Sequence, residues 1–296
     1  MRPAVVLAVL FSAAALAADQ ASDLPFPADE IAHAREVLRE RLAGCDDANR
    51  CAGIYATIAL AERPGGALEE LARRSWIANI GRTRATLFGL FPRVPPASQA
   101  EILDAFREHW PLLMQGVFPE LTGMVVQALE SDDDAVRLAA ARLIATRPVA
   151  RISHAAIDAA ELDPSLLQAA ILAVGHERAR YAARWLVETA TAHDAPGILE
   201  AARWSLFRLD RKGADRLKEL IDSADPDTAA RAVDLLLVIA IPADGPVLLR
   251  WLEQHGSEHP ELAERVRRQI AALEAGLIER RSPPFPQLVL PEPPGS

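Results

Sequence analysis

The sequence predicts an all-α chain whose second half is an α-solenoid of stacked antiparallel helix pairs. Three observations predict it. Hydrophobic residues make up 50% of the 296 residues but aromatics only 5%, so Ala and Leu, both strong helix formers, carry the apolar load. Apolar residues recur at three- and four-residue steps between Gly- and Pro-marked breaks. From Pro119 onward the same helix-start signal returns every 31 residues, at Asp132, Asp163, Asp194 and Asp225. A regular return at that interval marks a repeat array.

Taken in order, the elements begin with a leader. Arg2 supplies a positive start, an apolar run from Ala4 to Leu16 follows, and Ala15-Leu16-Ala17 places small residues where a signal peptidase reads. Residues 1–17 are therefore expected to be a secretory signal. The run is shorter than the roughly 20 residues that cross a bilayer, and no later segment is apolar for long enough, so no integral membrane segment is expected after cleavage. Residues 18–27 are polar and interrupted by proline, and read as an arm.

Residues 28–118 form an N-terminal helical region, with decayed repeats as one reading of it. Ile31, Ala34, Val37, Leu38 and Leu42 share one helix face. A second helix is expected from Asp47 to Ala61, ended by Arg63-Pro64-Gly65-Gly66. A third spans Ala67 to Phe91, with an interruption near Gly81, and Ser98 is the expected cap of a fourth. Cys45 and Cys51 flank the polar turn between the first two. In an oxidising compartment an even count at short separation favours a disulfide. Closing so small a loop contributes about 2 kcal/mol in the chain-entropy picture.

Residues 119–281 form the repeat region. The Asp markers lie at helix starts, and proline follows directly in Asp163-Pro164 and Asp225-Pro226. A carboxylate there accepts from the free amides of the first turn, and proline at the first helical position sacrifices no hydrogen bond. Two helices fit between successive markers: Ala135–Thr146 with Ser153–Ala160, Ser165–Val174 with Arg178–Thr191, Gly197–Leu209 with residues 214–223, and Thr228–Ile241 with Val247–Gln254. His259-Pro260 opens a further one. Each has an apolar stripe too wide for one partner helix to cover, so the pairs are expected to stack on a shared core.

Within this region, Leu129 to Ile144, with its acidic turn, Val136-Arg137, alanine run and closing Leu143, resembles the first helix of a HEAT repeat of the bacterial, PBS-lyase HEAT-like kind. Asp163-Pro164-Ser165-Leu166 with Ala169, Ala170 and Val174 repeats the pattern, as does Ile198 with Ala201, Ala202 and Leu206. The resemblance covers Pro119 to Ala275. It implies an α-solenoid whose second helices line a concave face, and a protein- or peptide-binding role. The arginine after the valine is present only as Arg137; Leu167 and Leu199 stand in its place later, so a continuous Asp–Arg ladder is not part of the expectation. Some HEAT-like proteins are bilin lyases, an activity the generic pattern here does little to support.

Residues 282–296 form a proline-rich tail whose composition forbids a helix and favours an extended conformation. It could dock on the repeats or on a partner; a solvated tail is the expectation.

Chemistry is sparse. No His-Glu-x-x-His, Gly-x-Ser-x-Gly or phosphate-cradling glycine loop occurs, so no catalytic residues, cofactor or metal are assigned and the chain is read as non-enzymatic. His255 and His259, with Glu258, could form a loop metal site, although Gly256 and Pro260 argue against one continuous helix there. His176 and His193 read as solvated loop residues. The formal net charge is −9, and loss of the leader removes one cation, Arg2, and no acid. Such a surface repels phosphate backbones and argues against nucleic acid as the partner. The best surface lead is a recurrence: Arg184-Trp185 and Arg250-Trp251 lie 66 residues apart on second helices. Trp and Arg are enriched at binding hot spots, so these four are the candidate partner contacts, with packing of both indoles between repeats as the competing reading. The functional expectation is a periplasmic or otherwise exported scaffold binding a protein or peptide. The alternative is an exported protein that binds a small ligand or metal, with a hydrolase a more distant third.

Overall fold

The computed structural model describes residues 24–113, 118–222, 225–277 and 282–291. Every regular element among them is helical. The expected leader and most of the arm lie outside the described residues; of the arm, Leu24 is buried. No helix among the described residues is long and apolar enough to cross a membrane. The chain divides into two compact units, Met1–Ala139 and Ala140–Ser296, described here one at a time.

In the first unit, α1 (Ala28–Arg41), α2 (Ala48–Thr57) and α3 (Gly66–Ala78) are followed by α4 (Ile80–Leu90), α5 (Pro96–Glu108), the single turn α6 (Trp110–Leu113) and α7 (Pro119–Leu129). Helix α3 covers α1, while α2 lies against both α3 and α4. Their apolar stripes meet in a core that buries Leu38, Tyr55, Leu71, Trp76, Leu87 and Phe106. The last turn of α2 widens through Ile58–Glu62, where Arg63 N–H donates to the Ile58 carbonyl at 2.9 Å, an i→i+5 closure. The sulfur atoms of Cys45 and Cys51 lie at disulfide distance, their Cα atoms 5.8 Å apart, across the turn from α1 to α2. Asp47 caps α2 by accepting from Arg50 N–H at 2.8 Å. The long third helix is interrupted near Gly81 as expected, with the break falling at Asn79. Ser98 is not a cap: it sits inside α5, fully buried, and Pro95 holds the cap position.

Helix α8 (Asp134–Thr146) contains the division between the units. In the second unit α9 (Ser153–Leu162), α10 (Leu167–Glu177), α11 (Ala183–Ala192), α12 (Pro196–Arg208), α13 (Ala214–Ile221), α14 (Pro226–Ile239), α15 (Gly245–His255) and α16 (Pro260–Glu274) follow. The odd-even order recurs in the packing. Helix α12 packs on α10, α14 on α12 and α16 on α14, while α13 touches α11 and α15. The expected wide stripes are present at their extreme in α10, where every residue from Gln168 to Gly175 is buried.

Two of the 31-residue markers act as expected. Asp163 accepts from Ser165 N–H at 3.0 Å and Asp225 from Thr228 N–H at 3.1 Å. Ahead of α8 the cap is Asp133, which accepts from Ala135 and Val136 N–H at 3.0 and 3.1 Å; Asp132 is exposed. Ahead of α12 no side chain caps the helix. Along the 31-residue interval the capping acceptor therefore stays in place twice, shifts by a residue once and is absent once.

Candidate functional site

The four residues singled out on the second helices do not share one environment. Arg184 is exposed and pairs with Glu188 at 2.9 Å, and Trp185 is half-buried. Arg250 pairs with Asp222 at 3.2 Å. Trp251, however, is 1% exposed, with its ring centroid 6.3 and 6.1 Å from those of His255 and His259. It is an interior residue, so an exposed indole at this position is not what the chain builds. The reason is phase. Trp185 is the third residue of α11 and Trp251 the seventh of α15, and four residues rotate a side chain by about 40° around a helix. That turns Trp251 onto the stripe it shares with buried Leu248.

His255 and His259 therefore flank an indole. His255 Nδ1 lies 3.5 Å from Glu258 Oε2, and no group of three or more His, Cys, Asp or Glu among the described residues could hold a metal ion. A cavity of about 330 Å³ is lined by Leu237, Val238, Arg265, Arg268 and Gln269, which supply cations and an amide but no nucleophile or carboxylate.

Charge is instead organised between α12, α14 and α16. Asp234 of α14, 6% exposed, takes Arg203 of α12 on one oxygen and Arg265 of α16 on the other. The three residues are spaced by 31, so this is an Arg–Asp–Arg ladder at positions the resemblance did not mark. A second buried carboxylate, Asp244, receives Lys218 Nζ at 2.8 Å, Arg211 Nη2 at 3.1 Å and Ile241 N–H at 2.9 Å. Burial works against its charge, but the hydrogen bonds from Arg211, Lys218 and Ile241 outweigh it and hold the carboxyl below its ordinary value. Both acids are structural: each is saturated by cations of this chain.

The site with ligand-like character lies on the first helices, where the tail docks. The expectation of a solvated tail is overturned for residues 282–291. Gln168 of α10 is 4% exposed. Its Nε2 donates to the Gln287 carbonyl at 2.9 Å and to the Gly197 carbonyl at 3.2 Å, and its Oε1 accepts from Val289 N–H at 2.7 Å. One amide thus satisfies a carbonyl and an N–H two residues apart, which face the same side of an extended chain. Gly197 permits this approach, since a Cβ there would lie 3.1 Å from Gln168 Nε2.

Upstream on the tail, Pro286 is buried. Phe285 sets its ring edge-on to Trp204 of α12, centroids 5.2 Å apart, and 6.0 Å from His176. His176 itself tilts against Trp204 at 4.8 Å, and the Arg208 guanidinium lies 4.8 Å from the Trp204 ring. This cluster depends on a close crossing of α10 and α12. A Cβ on Gly175 would come within 2.4 Å of Ser205 Oγ and 2.7 Å of Trp204 Cζ3, while Ser205 Oγ donates to the Ile171 carbonyl at 2.8 Å.

His176 is accordingly not a loop residue. Helix α10 continues through Gly175 to Glu177 and ends on Arg178 in the left-handed conformation, φ 56°. His176 Nε2 lies 3.0 Å from the carbonyl of Ala145, 31 residues earlier; because a carbonyl only accepts, Nε2 carries the proton. Burial, followed by the charges of Arg208 and Arg147, pushes its pKa down against that hydrogen bond.

No known protein family matches this sequence, and no curated protein is significantly similar to it.

Two signals for this site lie in the sequence. Gln168 stands in phase with Ile171, Leu172 and Gly175, a polar side chain on a core-facing stripe that requires a partner. The tail is likewise apolar and prolyl rather than charged. What joins them is a separation of 119 residues between Gln168 and Gln287, which no local pattern encodes.

Proposed function

We propose that this protein is a non-catalytic, exported scaffold or adaptor of the HEAT-like α-solenoid type, holding a protein or peptide partner against its helical-repeat surface. One observation carries the reading: Gln168 and the Trp204–His176 cluster already grip an extended peptide, the chain's own segment 282–291. A surface that satisfies the main chain of an extended segment is chemically a peptide receptor. The recurrent helix order and the 31-residue Arg–Asp–Arg ladder support the repeat reading. The exposed Arg184, half-buried Trp185 and Arg250 offer further contacts on the second helices. Trp251, being interior, is not among them.

Export, with the periplasm of a Gram-negative bacterium as the destination, is supported by the leader-like first 17 residues and by the Cys45–Cys51 pair, which suits an oxidising compartment. The acidic balance of the chain, pI about 5.4, favours a protein partner over nucleic acid.

The test is crosslinking in intact producing cells, followed by affinity capture and mass spectrometry of the native chain beside a Gln168→Met/Trp185→Ala variant of unchanged thermal midpoint. One or two envelope proteins captured by the native chain and lost from the variant are expected. Equal recovery by both, or no specific protein from either, would sink the reading. N-terminal sequencing of the captured chain should begin at Ala18.

A further inference from the structure

We propose that the groove across α10 and α12 is a receptor for uncharged, proline-rich extended segments of another protein, and that residues 285–289 of this chain are its built-in competitor. This rests on the peptide-binding reading above and adds the ligand's chemistry and its regulation.

The groove's chemistry defines what it accepts. The Gln168 amide reads a carbonyl at one residue and an N–H two residues later. The second of these residues cannot be proline, whereas the residue between them is not read by that amide. Ahead of the clamp, a proline enters a buried position and an aromatic ring leans on Trp204 and His176. The motif is thus aromatic-Pro, a residue whose carbonyl is held, a spacer, and a non-prolyl residue. Arg208 and Arg147 are both charges that act on His176. The occupant here has no charged residue between Ser282 and Pro291, so affinity is carried by shape and main-chain bonding.

The docking is also shallow enough to exchange. Phe285 remains 46% exposed and Val289 68% exposed. The tail's advantage over a partner is tethering, because a segment on the same chain competes at an effective concentration in the mM range. Where the segment's own untethered Kd is about 10 μM, an effective concentration of about 1 mM weakens a free peptide about 100-fold.

The full chain tests this without truncation. Val289→Pro deletes the N–H that Gln168 accepts from, and Phe285→Ala removes the ring from Trp204; both changes lie outside the helices. The probe is a fluorescein-labelled synthetic peptide of sequence Ser282 to Pro291, read by fluorescence anisotropy. The Phe285→Ala/Val289→Pro chain should bind it at least 10-fold more tightly than the native chain. Adding Gln168→Met to that chain, or proline in place of Val289 in the peptide, should abolish binding. Circular dichroism melting of each chain separates lost binding from lost folding.

Equal binding by native and double-variant chains would overturn the competitor while leaving the peptide-receptor reading standing. No binding by a folded double variant would overturn the groove as a receptor; the scaffold reading then stands or falls on cellular capture through its other surfaces. A native chain that dimerises on sedimentation, and becomes monomeric in the double variant, would replace the intramolecular competitor with the tail of a second copy.

Discussion

Gly175 and His176 show how much depends on two adjacent side chains, one of them absent. With α10 and α12 this close, the added methyl of Gly175→Ala meets Ser205 Cα at 2.9 Å, backbone that cannot rotate away. The variant should lose about 1–3 kcal/mol, the usual cost of overfilling a packed contact. Urea denaturation would show it as a lower midpoint at unchanged slope. Its neighbour makes the fold sensitive to pH. Burial holds His176 below its ordinary value of 6.5, so near and below that pH the unfolded chain binds more protons than the folded one. The contribution of neutral His176 is complete above about pH 6.5 and is lost as pH falls through the depressed folded value. His176→Gln keeps an N–H for the Ala145 carbonyl and removes the titration. Between pH 7.5 and 5.5 the native denaturation midpoint should therefore fall further than the variant's. Equal falls would assign the sensitivity to other groups.

For the helices, caps and phase decide what a sequence reveals. Asp133→Ala should cost about 1 kcal/mol, because it strips the acceptor from two first-turn amides, whereas Asp132→Ala, at the 31-residue marker itself, should leave the thermal midpoint unchanged. A reversed ranking would restore the marker as the cap. The helical class, the breaks around Pro64 and Pro92, and most helix bounds from Asp134 onward were legible in the sequence because they follow from local propensity and apolar period. Features set by tertiary contact were not. Gly175-His176 reads as a loop, yet α10 runs through it, since a glycine needed for close crossing looks the same in sequence as one that ends a helix. The shared Arg-Trp dipeptides of α11 and α15 suggest equivalence, but a four-residue offset puts one indole at the edge of a stripe and the other inside it. The Arg203–Asp234–Arg265 ladder obeys the 31-residue step and could have been read from it; what hid it is that ion pairs between separate helices leave no mark on any single one.

Over the whole molecule, the net charge of −9 and the neutrality of residues 282–291 separate two kinds of interaction. Long-range repulsion from the acidic surface is screened over about 8–10 Å at ordinary ionic strength, but it has no charge on the docked segment to act upon. Tail docking, followed by a fluorophore attached at an introduced Ser282→Cys, should be unchanged from 0.05 to 0.5 M NaCl. A strong salt dependence would mean that charged residues flanking 282–291 in the sequence, and not the segment itself, govern docking. A clamp that grips main chain also bears on the history of the tail. Since Gln168 bonds to the backbone of Gln287 and Val289, the side chains at 287, 288 and 289 are free to drift among uncharged amino acids without loosening it, proline at 289 excepted. Inheritance is constrained at few points: the glutamine, the two glycines that let it and its helix come close, and the Phe285-Pro286 pair. Among descendants of this gene the tail should look unrelated along much of its length while continuing to lie in the same groove.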